Sequence, residues 1–348
     1  MRISNPAIGF EVFPMKSLLS SLLIIALLLP PTVSTGQTAD LEQARKEAEV
    51  VLYSTITVGA FNELNKAIKE KYPFLNVQHI RLGPAQQLAK IMQEQRSGHF
   101  LADVVYNNLL HLIYLKENGV LGKYQSPENR FMMKEAVDPD GAWVGGDIDV
   151  LVTGFNTKMI SRNEVPTTYE GFLDSKLKGQ MAINSNNPYA LVGMASLRGE
   201  EQGIAYMRRL AQQNLRPVQG FSHMANLLAA GEYPIALMNQ VTKIEEMKEK
   251  GAPVDWASNS PNFSTVGAYA LSRTPPHPAA ARLLIDFVLS DQGQKVLGRT
   301  GKLPMRRGVP SQSKSIDRLL ESGNLHPIKD AKGLERYAKI YRELIERR

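Results

Sequence analysis

The chain has 348 residues, of which 43% are hydrophobic and 22% charged, and its formal net charge is +7. That length holds one large or two modest domains, and the composition is that of a folded globular protein rather than a disordered one. Cysteine is absent, which excludes disulfides, thiolate metal sites, cysteine nucleophiles, iron–sulfur clusters and a lipid anchor on an N-terminal cysteine.

The basic excess does not read as a nucleic-acid footprint. Lys and Arg never run longer than two, and acidic residues alternate with them, as in Lys243-Ile244-Glu245-Glu246-Met247-Lys248-Glu249-Lys250. At helical spacing this is a solvated face.

Taken in chain order, the first element is an export leader. Lys16 precedes an apolar run from Leu18 to Leu29, Pro30 and Pro31 stop it, and small residues follow through Ala39. A positive flank, an apolar core and a small-residue stretch make a signal peptide, and the run is too short to span a bilayer, which takes about 20 apolar residues. The leader is expected over 1–36, with cleavage after Gly36 or after Ala39. Met15 would also begin a leader of ordinary form.

The mature chain alternates short apolar runs with amphipathic stretches, the pattern of an α/β fold. Val50 to Ser54 reads as a strand, followed by a helix with Phe61, Leu64, Ala67 and Ile68 on one face. Asn76 to Ile80 is a second strand, and Gly83-Pro84 opens a helix carrying Leu88, Ile91 and Met92. Ala102 to Tyr106 is a third strand, running into Asn107-Asn108 and another helix. Two long extended stretches, Trp143 to Phe155 and Thr265 to Leu271, break the rhythm and bracket a second α/β segment. A helix-rich tail closes the chain.

Several stretches in this order resemble the bacterial extracellular solute-binding proteins of iron-type ABC import systems, whose relatives also carry phosphonates, sugar phosphates and other organic solutes. The resemblance covers about residues 41–310. It is carried by Leu41 to Ser54, by Phe61 to Val77 with Lys71-Tyr72-Pro73, by Ala102-Asp103-Val104-Val105 and by Asp138-Pro139-Asp140-Gly141-Ala142-Trp143-Val144-Gly145. Gly154-Phe155-Asn156-Thr157-Lys158, Pro166 to Gly179, Ala230-Gly231-Glu232-Tyr233, Lys250 to Val254, His277 to Ala281 and Phe287 to Gln294 complete it. The resemblance implies a two-lobe periplasmic-binding-protein fold of type II kind, with two doubly wound sheets joined by two hinge crossings. Lobe 1 would comprise 40–152 plus 267–348, and lobe 2 153–266. It implies a monomer in the periplasm that captures a small polar or anionic solute and delivers it to a membrane permease and its ATPase, with no catalysis and no cofactor.

Ligands of open parallel sheets bind beyond the carboxyl ends of the strands. On that rule the expected ligand contacts are Ser54 and Thr55 after the first strand, Gln86 at the start of the second helix and Asn107 after the third strand. In lobe 2 they are Asn187 and Tyr189 before a helix, Ser222 before another, and Asn239 after the strand Ile235 to Met238. Taken singly, each is more often a turn former or helix cap, and it is the set as a whole that points to ligand contact. Ferric members of the family hold metal with adjacent tyrosines on the loop that here reads Asn239-Gln240-Val241-Thr242, so an organic or oxyanionic solute is expected, and a ferric ion or ferric chelate is the alternative. Asp147 and Asp149, at i and i+2 on a strand, share a face. They would either meet a cationic ligand or metal near the hinge or pair with Lys or Arg.

Enzyme motifs fail. Gly293 to Thr300 has Arg299 where a P-loop has lysine and sits in a helical pattern, Gly220 to Met224 lacks the closing glycine of a nucleophile elbow, and His79, His99, His111, His223, His277 and His326 show no metal-ligand spacing. An exported enzyme or a sensor on the same fold remains the rival to a transport role.

Overall fold

The structure is a computed structural model that describes residues 35–328 and 333–346. Most of the expected leader therefore lies outside the described residues. The first described element, α1 (Thr35–Glu47), packs against the later helix α9 (Pro278–Leu289).

In lobe 1 the order is β1 (Glu49–Ser54), α2 (Val58–Lys71), β2 (Asn76–Arg81), α3 (Pro84–Ser97), β3 (Val104–Asn108) and α4 (Leu109–Glu117). The periodicity read from sequence is the buried face of α2, since Phe61, Leu64, Ala67 and Ile68 are all buried, and Thr57 caps the helix by accepting from the Ala60 amide. β1 pairs in parallel with β2 and β3. The inner strand β3 is buried on both faces, whereas β2, at the sheet edge, keeps polar residues exposed.

β4 (Val144–Asn156) then leaves lobe 1. β5 (Met181–Asn184), α5 (Tyr189–Arg198), α6 (Glu200–Ala211), β6 (Arg216–Val218), α7 (Phe221–Ala229), β7 (Ile235–Gln240), α8 (Val241–Glu249) and β8 (Val254–Ala257) follow. β9 (Asn262–Leu271) returns to lobe 1. β9 pairs antiparallel with β3 at one end and with β4 along its length, and β4 pairs antiparallel with β7 beyond it. The strand order is β2-β1-β3-β9-β4-β7-β5-β6. The two parallel wings expected from the sequence are present, but the long strands β4 and β9 are shared by both and join them into one hydrogen-bonded sheet.

The tail comprises α9, α10 (Asp291–Arg299), β10 (Leu303–Pro304), α11 (Lys314–Glu321), β11 (Leu325–Pro327) and α12 (Leu334–Glu346). β10 pairs with β4 at Asp147 and Ile148, and β11 with β9 at Asn262 to Ser264. The sequence reading kept the whole tail in lobe 1, whereas α12 packs against α5 and α6, burying Tyr341 and Ile345 in the second core, with the Tyr341 hydroxyl donating to the Asn184 carbonyl at 2.6 Å. Burying two such side chains is worth about 1.5–3 kcal/mol each. The tail thus makes a third connection between the wings. No helix among the described residues is long and apolar enough to cross a membrane.

Candidate functional site

The carboxyl ends of the lobe 1 strands bring three of the expected residues together. Ser54, fully buried, shares a 2.7 Å hydrogen bond with His79 Nε2 and accepts from the Ile56 amide at 3.1 Å. Burial, and then Arg81, hold the His79 pKa below its usual value. Thr55 follows, half-buried, in the same loop. Ser54 lies beside Tyr106 in the β1–β3 ladder. The next residue, Asn107, is buried; its Nδ2 donates to Gln87 Oε1 at 2.6 Å, and Gln87 Nε2 donates to the Tyr106 carbonyl at 3.2 Å. Gln86 is exposed, and its side chain accepts from the Gly83 amide at 3.2 Å at the start of α3. One residue along a helix turns the side chain by about 100°, so Gln87 and not Gln86 faces inward. Asn108 caps α4 by accepting from the Leu110 amide.

The floor between the wings is the hinge strand β4. Asp147 is buried and accepts from the Tyr106 hydroxyl at 2.6 Å and from Lys302 Nζ at 2.9 Å. Burial acts to lower the Lys302 pKa, but Asp147, Tyr106 and Asp149 together hold it well above the usual value, so the ammonium stays charged. Burial and Asp147 push the Tyr106 phenol far up, so it stays protonated and donates. The bond from Tyr106 on β3 to Asp147 on β4 passes over β9 at Gly267, where a Cβ would lie 2.7 Å from Asp147 Oδ2 and against the Tyr106 oxygen. Only glycine leaves that path clear. Asp149, on the same face, is half-buried. Burial raises its pKa, opposed by Lys302, while the Asp147 charge raises it further; Lys243 and a hydrogen bond from Gln240 also favour the ionised form.

The second parallel wing carries the other expected residues. Asn187 Oδ1 accepts from the Tyr189 amide at 2.9 Å at the start of α5. Burial and then the Asp149 charge push the Tyr189 phenol up, against a hydrogen bond with Asn187 and the charge of Lys302. Asn187, Tyr189, Phe221 and Met238 line a void of about 10 Å³, room for about one water. At the end of β7, Met238 has φ of 51°, a left-handed conformation that costs a side-chain-bearing residue energy and is concentrated at functional sites. Asn239 follows, fully buried; its Oδ1 accepts from the Gln240 amide at 2.8 Å, and its Nδ2 has no partner among the described residues. A buried orphan donor is expensive. Ser222 is exposed on the first turn of α7 and joins none of these contacts.

Tyr189 feels the Asp149 charge, and Gln240, the chain neighbour of Asn239, hydrogen-bonds Asp149. Asp147 holds Lys302 and Tyr106, and Tyr106 is followed by Asn107 and lies beside Ser54 in the sheet. Sequence reading considered both glutamines and kept Gln86 over the inward Gln87, and it missed Tyr106, Lys243 and Lys302 as members of the site. Lys302 is 155 residues from Asp147, and no local pattern signals that pairing. A cavity of about 310 Å³ opens along α8, between it and the α10–β10 turn and the start of α11, lined by Lys243, Glu246, Glu249, Arg299, Lys302 and Ser313 among others. Among the described residues no group of three or more His, Asp or Glu side chains is placed to hold a metal ion.

Similarity to known proteins agrees with this fold. Three solved structures show the same fold. The periplasmic binding protein AfuA from Actinobacillus pleuropneumoniae, with fructose-6-phosphate bound, is 22% identical, with 86% of this chain and 99% of that one covered at a TM-score of 0.70. Iron-bound HitA from Pseudomonas aeruginosa is 20% identical over 85% and 99% at 0.70, and the ferric binding protein from Campylobacter jejuni is 20% identical over 85% and 99% at 0.72. A family model described as bacterial extracellular solute-binding protein matches residues 102–334. That match spans well over half of the sequence, and the chain belongs to the bacterial extracellular solute-binding proteins, the capture components of ABC import systems.

Proposed function

We propose that the chain is exported by a cleaved leader over 1–36, works in the periplasm as a monomer, and closes its two wings on a small polar organic solute that it passes to a membrane permease and its ATPase. Lobe 1 comprises 40–152 and the tail from 267 to about α11; lobe 2 comprises 153–266 together with β11 and α12. The observation that carries this reading is the single polar floor formed where the strand ends of both wings meet over β4. There, fixed amides, hydroxyls and carboxylates take the place of a solute's water when the wings close. Asn107, Asn187, Tyr189 and Asn239 are its uncharged contacts, joined by Ser54 and Thr55 at the lobe 1 rim.

Compared structures carry iron or a sugar phosphate, and the organic class is favoured here. The loop that bears paired tyrosines in ferric members is Asn239-Gln240, and the carboxylate of Asp147 is already committed to Lys302 and Tyr106. Among the described residues a serine meets a histidine twice, Ser196 on α5 with His326 on β11 at 2.9 Å and, at the strand-end floor, Ser54 with His79 at 2.7 Å. That serine is fully buried, and the His79 ring stacks on Phe61 with centroids 4.2 Å apart, with no orienting carboxylate.

A thermal-shift screen over sugar phosphates, phosphonates, carboxylates, amines and ferric citrate tests the proposal, with small-angle scattering on any hit. A binder at about 100 times its dissociation constant stabilises the native state by about 2.7 kcal/mol and should reduce the radius of gyration. Turnover of the hit would contradict the reading, as would a hit that is ferric citrate alone.

A further inference from the structure

Glu245, buried on the second turn of α8, divides its carboxylate between the two wings. One oxygen, Oε2, accepts from Trp256 Nε1 at 2.8 Å; Trp256 is on β8, opposite Gly154 of β4. The other, Oε1, accepts from two hydroxyls of the tail, Ser313 at 2.6 Å and Ser315 at 3.2 Å. The helix and the serines belong to different cores. Ile244, beside Glu245, is buried with Leu228, Ala236 and Val254 in a core of lobe 2. Ser313 precedes α11, whose Ile316 and Leu319 are buried in the lobe 1 core, and Gln312 donates to the Gly298 carbonyl of α10 at 2.9 Å.

Two features mark the contact as more than surface polarity. Ser313 occupies the N-cap position of α11, where a serine ordinarily accepts from its own helix. It makes no such bond and gives its proton to Glu245. Glu245 and Ser313 also both stand on the wall of the cavity of about 310 Å³. Beside these bonds the boundary between α8 and the tail is open space, into which either side can move once the bonds part. α8 itself starts directly after Asn239-Gln240, and Glu245 lies one turn, about 6 Å, beyond Val241. The helix therefore carries the floor residues at one end and the contact with the tail on its next turn.

We infer that Glu245 is a positioning residue of the capture cycle: its bonds to Ser313 and Ser315 latch the wings in the arrangement described above and part when the wings turn about β4 and β9. Such a turn moves α8 against α11, and two hydrogen bonds to one oxygen do not survive a shift of more than a few tenths of an ångström. The latch sets the share of each arrangement, and with it the affinity for a solute that selects one, without touching the solute. The inference rests on the wing motion proposed above and not on the identity of the cargo.

The test uses the full mature chain without added solute. Because cysteine is absent, two introduced cysteines take spin labels cleanly. They replace Glu63 on α2 and Glu201 on α6, both exposed, one in each wing, and double electron–electron resonance reads the distance between them. Ser313→Ala/Ser315→Ala should change the ratio of the two interlobe distances about 10-fold or more, since the acceptor is a carboxylate. Ser315→Ala alone removes the longer bond at a half-buried position. It should shift the ratio the same way by less, and it supplies the reading if the double variant fails to fold. Ser126→Ala is the matched control: it removes a 2.6 Å bond from a buried serine to the Asp286 carboxylate within lobe 1, and its distances should equal the parent's. A parent distribution retained by the serine variants, or an equal change in the control, overturns the inference. The scattering screen above reads closure separately, so a failed latch in a chain that a solute closes leaves the capture role intact. A chain whose wings no member of that screen moves loses both.

Discussion

Gly267→Ala is the sharpest structural test of the hinge floor. The residue sits on β9 between Asn108 on β3 and Asp147 on β4, under the hydrogen bond from Tyr106 to Asp147. A methyl group there would stand 2.7 Å and 2.9 Å from the two Asp147 oxygens and would press on the Tyr106 hydroxyl. Relief requires breaking a charge-assisted hydrogen bond, about 1.5–3 kcal/mol, and displacing packed groups, about 1–3 kcal/mol. The sum is about 2.5–6 kcal/mol, or roughly 4–9 °C of melting temperature for a chain of this size. Thermal unfolding by circular dichroism reads it directly. A cycle with Tyr106→Phe adds the specific signature: removing the phenol oxygen destabilises the parent but costs little in the Gly267→Ala background, because the bond is already lost. A melting temperature within about 1 °C of the parent, or additive losses in the cycle, would refute the reasoning.

Three further outcomes are expected. Because burial raises the Asp149 pKa in the folded chain, its unfavourable contribution is complete above that raised value and disappears below its unfolded value near 3.9. Asp149→Asn should therefore melt higher than the parent at pH 7, with the gap closing as the pH falls toward 3.5, and a constant gap in melts across that range would contradict it. Glu245→Gln replaces an acceptor of three donors, from Trp256 at 2.8 Å, Ser313 at 2.6 Å and Ser315 at 3.2 Å. It should cost about 1.5–3 kcal/mol in urea titration and shift Trp256 emission; identical emission would show that this link between α8 and the tail does not form. Deleting 333–348 should uncover the faces of α5 and α6 that hold Tyr341 and Ile345, costing about 3–6 kcal/mol and raising dye binding to lobe 2, and a truncated chain as stable as the parent would mean that α12 is not docked there.

Much of the fold was legible because its signals are local. Strands β1 to β3 announce themselves as short apolar runs, α2 as a spacing of three and four, and the two hinge strands as extended stretches that interrupt the alternation. What was not legible depends on residues far apart in the chain. The docking of α12 onto lobe 2 rests on contacts between Tyr341 and Asn184, and nothing in the tail's own sequence says which lobe it will cover. The site divides the same way. Asn107, Asn187, Tyr189 and Asn239 were proposed because strand ends can be read from the short apolar runs. Gln86 was taken for Gln87 because the phase of a helix is set by what packs beneath it, and Ser222 because a position before a helix does not say whether the side chain turns inward. The aspartates were visible as a pair, but only the fold shows that Asp147 meets Lys302 and that Asp149 meets the Gln240 side chain instead of an ammonium.

The capture of a solute on this shared floor is tested most directly by native mass spectrometry of the protein recovered gently from the periplasm, beside an Asn107→Ala/Asn239→Ala double variant with the same circular dichroism spectrum. The parent should carry one small-molecule adduct per chain, and the double variant should carry none. An adduct retained unchanged by the double variant would place the cargo elsewhere and contradict the account.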